Sequence, residues 1–335
     1  MSVQNDPRPS TTDADFLLAT EPLRREITAH CYRMMGSHHD AEDLTQETYL
    51  RAWRGFAGFD GRASVRTWLH RIATNTCLSA LESTSRRPLP SGLGTDAFDP
   101  TDTLLTDTEV PWLQPFPGAA PSERDDPAQI IGVNESIRLA FVAALQHLPA
   151  RQRAVLILRD VLAWRASEVA DTVGLSVASV NSLLQRARAT LREVDPDHDA
   201  QCEPSDATTR ATLARWVAAF EEYDVEAIVS MFTTDAIWEM PPFTGWYRGG
   251  EQIGTLIRGN CPASAPGDQI LVPTVANGQP AFGLYMRGED GQHRPFQLQV
   301  LDLTTDGQVR HVVAFFDDAE AMFARFGLPQ RPPSR

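Results

Sequence analysis

The chain has 335 residues, with 44 acidic side chains against 30 basic ones and a net charge of −14. That length suits two or three domains, no apolar run approaches the roughly 20 residues of a membrane span, and the overall acidity excludes a generic nucleic-acid coat. The polar N-terminus has no signal-peptide core. Cysteines 31, 77, 202 and 261 lack any metal-site spacing, so a cytoplasmic protein with no metal or cofactor is expected, its cysteines acting as small core side chains.

Residues 14–85 read as helices. Leu23, Ile27, Cys31 and Met34 form one apolar stripe at helical spacing, and Ala41, Leu44, Thr48 and Ala52 form the next, with Asp40 expected as its N-cap. Gly55 to Gly61 breaks the pattern as a loop. Ser64 then caps a helix with the stripe Val65, Leu69, Ile72, Thr76 and Ala80. Residues 86–127 are rich in Pro, Gly, Asp and Thr and lack any period, so they are expected to be a flexible linker at a domain boundary. Trp112, Leu113 and Phe116 are apolar islands within it, suited to docking.

Residues 128–194 are helical again. Ala166, Val169, Ala170 and Val173 make one short stripe. Gly174-Leu175-Ser176 is a tight turn, and Val177, Val180, Leu184, Ala187 and Leu191 make the stripe that follows. Two short helices joined by such a turn predict a helix-turn-helix. After an acidic linker the pattern changes class over residues 205–330. Two helices precede strand-like segments joined by Asn277-Gly278, Asp290-Gly291 and Asp306-Gly307, three hairpin signals in series. The expectation is a multidomain chain: two all-α domains, 14–85 and 128–194, followed by an α+β domain.

Charge is concentrated where the chemistry is expected. Between 51 and 87 the arginines 51, 54, 62, 66, 71, 86 and 87 face only Asp60 and Glu82. Between 147 and 194 arginines again outnumber acids, and the chain has no lysine. Asp40, Asp43, Gln46 and Glu47 start a helix with an acidic stripe that reaches beyond macrodipole complementation, fitting a basic partner. Phe56, Phe59, Arg62, Arg66, Trp68, Arg71 and Asn75 mix aromatic and cationic groups, as single-stranded bases require. With Val180, Leu184 and Ala187 inward, the third helix presents Ser179, Asn181, Ser182, Gln185, Arg186 and Arg188, with Ser176 in the turn. These side chains suit base edges and phosphates.

Asp40-Ala-Glu-Asp-Leu-Thr-Gln-Glu-Thr-Tyr-Leu-Arg-Ala-Trp53 and Thr67-Trp-Leu-His-Arg-Ile-Ala-Thr-Asn75 closely resemble region two of the extracytoplasmic-function (ECF) sigma factors of the sigma-70 family. Leu148-Pro-Ala-Arg-Gln-Arg-Ala-Val155 and the stretch Val180 to Leu191 resemble region four. The resemblance implies a factor that binds core RNA polymerase and directs promoter-specific initiation without itself catalysing a reaction. It implies that Asp40 to Trp53 docks on the β′ clamp helices, with the β flap as a further contact. Phe56 to Asn75 would melt and read the −10 element, and the third helix would read the −35 element. The linker would thread toward the active-site and RNA-exit channels.

Phe232 to Pro242 and Gly245-Trp-Tyr-Arg-Gly249 resemble SnoaL-like cyclases and ketosteroid isomerases. That resemblance implies a curved sheet over helices. Trp238, Met240, Trp246, Tyr247, Phe282, Tyr285 and Phe315 would line a pocket for a small apolar ligand, and Asp302 and His311 are the polar strand residues of interest. A regulatory role in cis is expected for this domain. Two other readings stay open on the residues: a helix-turn-helix regulator with a ligand-sensing domain, and a cyclase or isomerase with a DNA-binding appendage.

Overall fold

The computed structural model describes residues 11–83, 86–117, 136–194 and 206–333. Cys202, the acidic linker after 194 and the last part of the expected 86–127 linker lie outside these residues. The chain forms two compact units, residues 1–85 with 144–194, and residues 86–143 with 195–335. No described helix is long and apolar enough to cross a membrane.

In the first unit α1 (Thr11–Thr20), α2 (Arg24–Met35), α3 (His38–Gly55) and α4 (Val65–Ala80) pack around Ile27, Cys31, Met34, Ala41, Ala52, Leu69 and Ala73. Helix α2 ends at Gly36, whose φ of 70° only glycine adopts freely. Ser37 caps α3, its hydroxyl accepting the Asp40 amide. The cap expected at Asp40 therefore lies three residues earlier: serine can accept that amide, and Asp40 sits in the first turn. Ser64 caps α4 as expected, taking the Thr67 amide at 3.0 Å. The buried face of α4 is rotated from the apolar stripe to include His70, Thr74 and Cys77, because Glu26 and His30 on α2 receive the first two.

The same unit contains α6 (Ala150–Leu156), a π-turn (Ile157–Val161), α7 (Ala166–Val173) and α8 (Val177–Val194). Gly174 ends α7 with φ 66°, and Ser176 Oγ accepts the Ser179 amide to start α8. Val180, Leu184 and Ala187 are buried, whereas Val177, expected in the stripe, is exposed in the first turn. The two helical regions, expected as separate domains, pack as one body. Arg153 of α6 donates to the Met34 carbonyl at the end of α2, and the Trp164 ring meets the edge of His70 on α4.

In the second unit α9 (Asp206–Glu221), α10 (Val225–Val229) and α11 (Gly250–Asn260) pack against a six-stranded sheet ordered β2-β1-β6-β5-β4-β3. The strands are β1 (Phe232–Glu239), β2 (Trp246–Arg248), β3 (Gln269–Ala276), β4 (Gln279–Arg287), β5 (His293–Leu303) and β6 (Val309–Phe315). Among the described strands only the β1–β6 pair is parallel. The three hairpin signals fall at β3–β4, β4–β5 and β5–β6. Asn277 and Gly278 both take positive φ, as a tight two-residue hairpin demands. A short α12 (Ala319–Arg325) follows β6, and Phe323 packs under Gly283, where a Cβ would collide. This is the α+β arrangement expected from the sequence.

Residues 86–117 depart from expectation. They are folded onto this unit rather than free. Their proline and glycine content prevents a core of their own, but Leu89, Leu113 and Phe116 are each buried. Thr106 bridges Phe243 and Pro117 bridges Ala276 in antiparallel pairs. The chain returns at 136 and enters α5 (Leu139–Leu145).

Candidate nucleic-acid and polymerase interface

On α3, Asp43, Gln46, Leu50 and Trp53 recur at helical spacing, forming one exposed stripe that runs from acidic to apolar. Leu50 and Trp53 are each about half exposed, at 50% and 53%. With Phe16, Leu17 and Tyr49 they line an apolar groove of about 400 Å³ between α1 and α3. Trp53 Nε1 donates to Asp13 across it at 2.9 Å. Glu47 is paired with Arg51 at 2.7 Å, and Asp40 is half-buried beside the cap. The acidic residues are legible in the sequence. The groove is not, because Leu17 and Leu50 resemble ordinary core leucines until α1 is placed.

Phe56, Phe59 and Trp68 come together. The Phe59–Trp68 centroids are 5.0 Å apart, and Phe16 closes against Phe56 at 5.3 Å. All three rings of the former set are half-buried, each partly packed and partly open to solvent. Arg62 is exposed and paired with Asp60 at 2.6 Å. Arg71 and Asn75 are exposed on α4, Asn75 donating to the Arg71 carbonyl. Arg66 is held at 2.7 Å by Glu26, which also meets the buried His70 at 2.8 Å. Burial alone would raise the Glu26 carboxyl, but hydrogen bonds and charge from His70 and Arg66 outweigh it and hold the pKa at about 2. Burial pushes both His70 and His30 below the usual imidazole range. His30 hydrogen-bonds Thr74 at 3.0 Å.

Along α8, Asn181, Gln185 and Arg186 are exposed, and Ser179 and Ser182 are half-buried. Arg188 behaves differently. Its guanidinium grips Asp160 in a two-pronged pair, at 2.7 and 2.9 Å. It fastens α8 to the π-turn, a bidentate use that occupies two of its donors.

The seven aromatic and apolar residues expected around one pocket divide between the two sheet faces. The cause is the pleat: neighbouring residues in a strand point to opposite sides. Trp238, Met240, Tyr247 and Phe282 belong to the buried core with Trp216. Trp216 stacks against Trp238 at 6.4 Å and donates to Gln299 at 3.0 Å. Trp246 donates to the Thr95 carbonyl, Tyr285 packs edge-on against Phe323 and donates to the Pro329 carbonyl, and Phe315 pairs across to Leu298. Asp302 and His311 are both engaged. Asp302 takes Arg138 and Arg310, the latter at 2.7 Å, and His311 meets the buried Glu239 at 2.9 Å. By strand register His311 and Glu239 lie on the face opposite Trp238. Among the described residues no cluster of His, Cys, Asp or Glu has the form of a metal site. Cys31 and Cys77 are buried and Cys261 half-buried, all as free thiols.

Family models match this chain twice: Sigma-70 region 2 over residues 20–87 and Sigma-70 region 4 over residues 138–191. The ECF RNA polymerase sigma factor SigG of Mycobacterium tuberculosis is 57% identical over 94% of this chain and 84% of its own length. The ECF RNA polymerase sigma factor SigJ of the same organism is 26% identical over 81% of each chain. The crystal structure of SigJ superposes with a TM-score of 0.61 at 22% identity, covering 93% of this chain and 98% of that one, a likeness of fold. With these relatives, and with the helix-turn-helix and the acidic and aromatic surfaces in place, the chain belongs to the ECF RNA polymerase sigma factors of the sigma-70 family.

Proposed function

We infer that the chain, as a sigma factor, binds core RNA polymerase and directs initiation at chosen promoters. We propose that Asp40, Asp43, Gln46 and Glu47, extended by Leu50 and Trp53, dock on the β′ clamp helices. The stripe offers both charge for steering and apolar area for affinity. Phe56, Phe59 and Trp68 stack bases of the opened −10 element, with Arg62 and Arg71 on the phosphates. Asn181, Gln185 and Arg186 read the −35 element from the major groove, and Arg188 positions α8 rather than reading a base. Region four also meets the β flap. The C-terminal domain regulates these steps in cis. A small apolar ligand would enter the Trp238 core only by displacing packed side chains, so its binding would be coupled to a change of that core.

The observation that carries this reading is the exposed polar side of α8, set on a helix whose other side is buried and whose start is capped by the turn. A photo-crosslinking residue at position 181 or 185 in the reconstituted holoenzyme tests it. Crosslinks confined to −35 bases are expected. Crosslinks spread without regard to promoter position would contradict it.

A further inference from the structure

The sheet face that packs on the helices of the second unit is not apolar throughout. Leu271, Leu284 and Leu301 belong to its core with Trp216 of α9. Strand register puts two glutamines among them. Gln297 pairs with Leu284, which pairs with Leu271, and Gln299 pairs with Phe282. Gln299 and Leu301 are two residues apart on β5, so they point the same way. Gln299 is wholly buried and Gln297 is 5% exposed. Amides at such positions cost stability unless they find partners, and apolar side chains would pack there as Leu301 does.

Gln299 has only part of its partners. Trp216 Nε1 donates to its Oε1 at 3.0 Å. An indole can only donate, so the orientation of this amide is fixed and its Nε2 points away from Trp216. That Nε2 meets no hydrogen-bond partner among the described residues. The same holds for Gln297 Oε1 and for the indole Nε1 of Trp238. Trp238 is 3% exposed and stacks on Trp216 at 6.4 Å. Three orphaned polar atoms thus share one wall: two donors, from Trp238 and Gln299, and one acceptor, from Gln297. Buried polar groups are almost always paired, so three on one wall mark a place built to receive polar atoms from elsewhere. None of the three carries a charge, and an ionised ligand would be left uncompensated. The edge of this core is aromatic and partly open. Phe316 meets Phe296 at 5.3 Å and Phe243 at 5.4 Å, all three half-buried.

We propose that this wall is a binding site for a compact neutral ring that carries a carbonyl beside an N–H or O–H. The carbonyl takes the Trp238 and Gln299 donors, and the N–H or O–H donates to Gln297. This rests on the reading that the C-terminal domain answers to a small ligand, and it gives that ligand a polar end.

The probe is δ-valerolactam, which places a ring carbonyl next to an N–H. Toluene and hexanoate are its apolar and charged counterparts of similar size. The full chain is labelled at its tryptophan indole nitrogens for NMR, and Trp238→Phe identifies the Trp238 resonance by its disappearance. Valerolactam is expected to shift that resonance saturably, in the millimolar range that so few atoms allow, and toluene and hexanoate are not. Gln297→Leu should weaken the response at least tenfold and still melt at or above the wild-type temperature, because it removes an unpaired buried group. A purely structural glutamine would do the reverse, melting lower with the response intact, and that result overturns the site. So does the lack of a saturable shift, or an equal response to toluene. Run-off transcription by core polymerase, with and without valerolactam, separates the two readings. Saturable binding with unchanged transcription upholds the site and counts against regulation by this ligand class. Saturable binding with altered transcription upholds both.

Discussion

Arg153, buried at the start of region four, donates to the main-chain carbonyl of Met34 in region two and also to Gln146 and the Leu148 carbonyl. One guanidinium thus satisfies several acceptors at the junction of region two and region four, to which we assign different promoter elements. The −10 and −35 elements lie about 25 base pairs apart, about 85 Å along the duplex at 3.4 Å per pair. A compact unit of this size has a radius of gyration of only about 14 Å. On the proposed assignment of the two elements, the first unit opens to reach both.

Arg153→Met should favour that opening. Methionine keeps the stem and removes the charged donors, whose hydrogen bonds are worth about 1.5–3 kcal/mol. A ten- to hundredfold shift from closed to open follows. Donor and acceptor dyes on exposed positions of α3 and α8 should report a longer mean separation in the free variant. An unchanged separation would mean the Met34 contact does not hold the regions together.

Polymerase affinity should fall through two separable effects. Asp43→Arg reverses charge at an exposed position of the stripe, and should slow association in a salt-dependent way. Trp53→Ala removes a half-exposed ring and its Asp13 bond, and should speed dissociation. At least tenfold weaker binding is expected for each, measured by interferometry against core enzyme. Equal rates for wild type and both variants would remove the docking role from α3.

Promoter reading should distinguish neighbours on α8. Gln185→Ala should cost about 1–3 kcal/mol at its own base pair and little on other −35 variants. Arg188→Ala breaks the pair with Asp160, so it should weaken transcription uniformly across sequences and lower the melting temperature. A base-specific loss at Arg188 would reverse the assignment.

Acid should loosen the first unit, and the sign follows from three groups. Glu26 has a folded pKa of about 2 against 4.5 for the free side chain. Its contribution is therefore complete above about 4.5 and is lost as pH falls toward 2. His30 and His70 are both depressed in the fold, so they too favour unfolding as pH drops below their free value of 6.5. Their neighbours on α2 and α4 include Arg33, Arg66 and Glu26. Denaturant melts from pH 7 to 3 should show falling stability, and Glu26→Gln should flatten the part below pH 4.5. An identical slope in the variant would assign the acid sensitivity elsewhere.

Much of the site is legible in the sequence alone. The helix-turn-helix is local: Gly174, the Ser176 cap and the stripe Val180, Leu184 and Ala187 lie within a few turns, so spacing alone specifies them. The aromatic set Phe56, Phe59 and Trp68 is recognisable because residue type carries it. The partners of Arg66 and Arg188 stay hidden, since Glu26 and Asp160 lie 40 and 28 residues away. The expectation of one pocket around Trp246 and Tyr247 fails on strand parity, since neighbouring residues of a strand point to opposite faces. The expectation of a flexible linker fails over residues 86–117, where the chain is described. Its lack of period is real, but Asn277, Glu239 and Gln279, far along the chain, supply the bonds that a periodic segment would make for itself.

That this chain directs polymerase to particular promoters is tested most directly by a run-off assay with purified core enzyme, the full chain and a promoter library. Transcripts are predicted that require the chain, start from a subset sharing −10 and −35 sequences, and disappear when either element is altered. Core enzyme that gains no promoter-dependent transcripts from the chain, or that fails to retain it on gel filtration, would contradict that role.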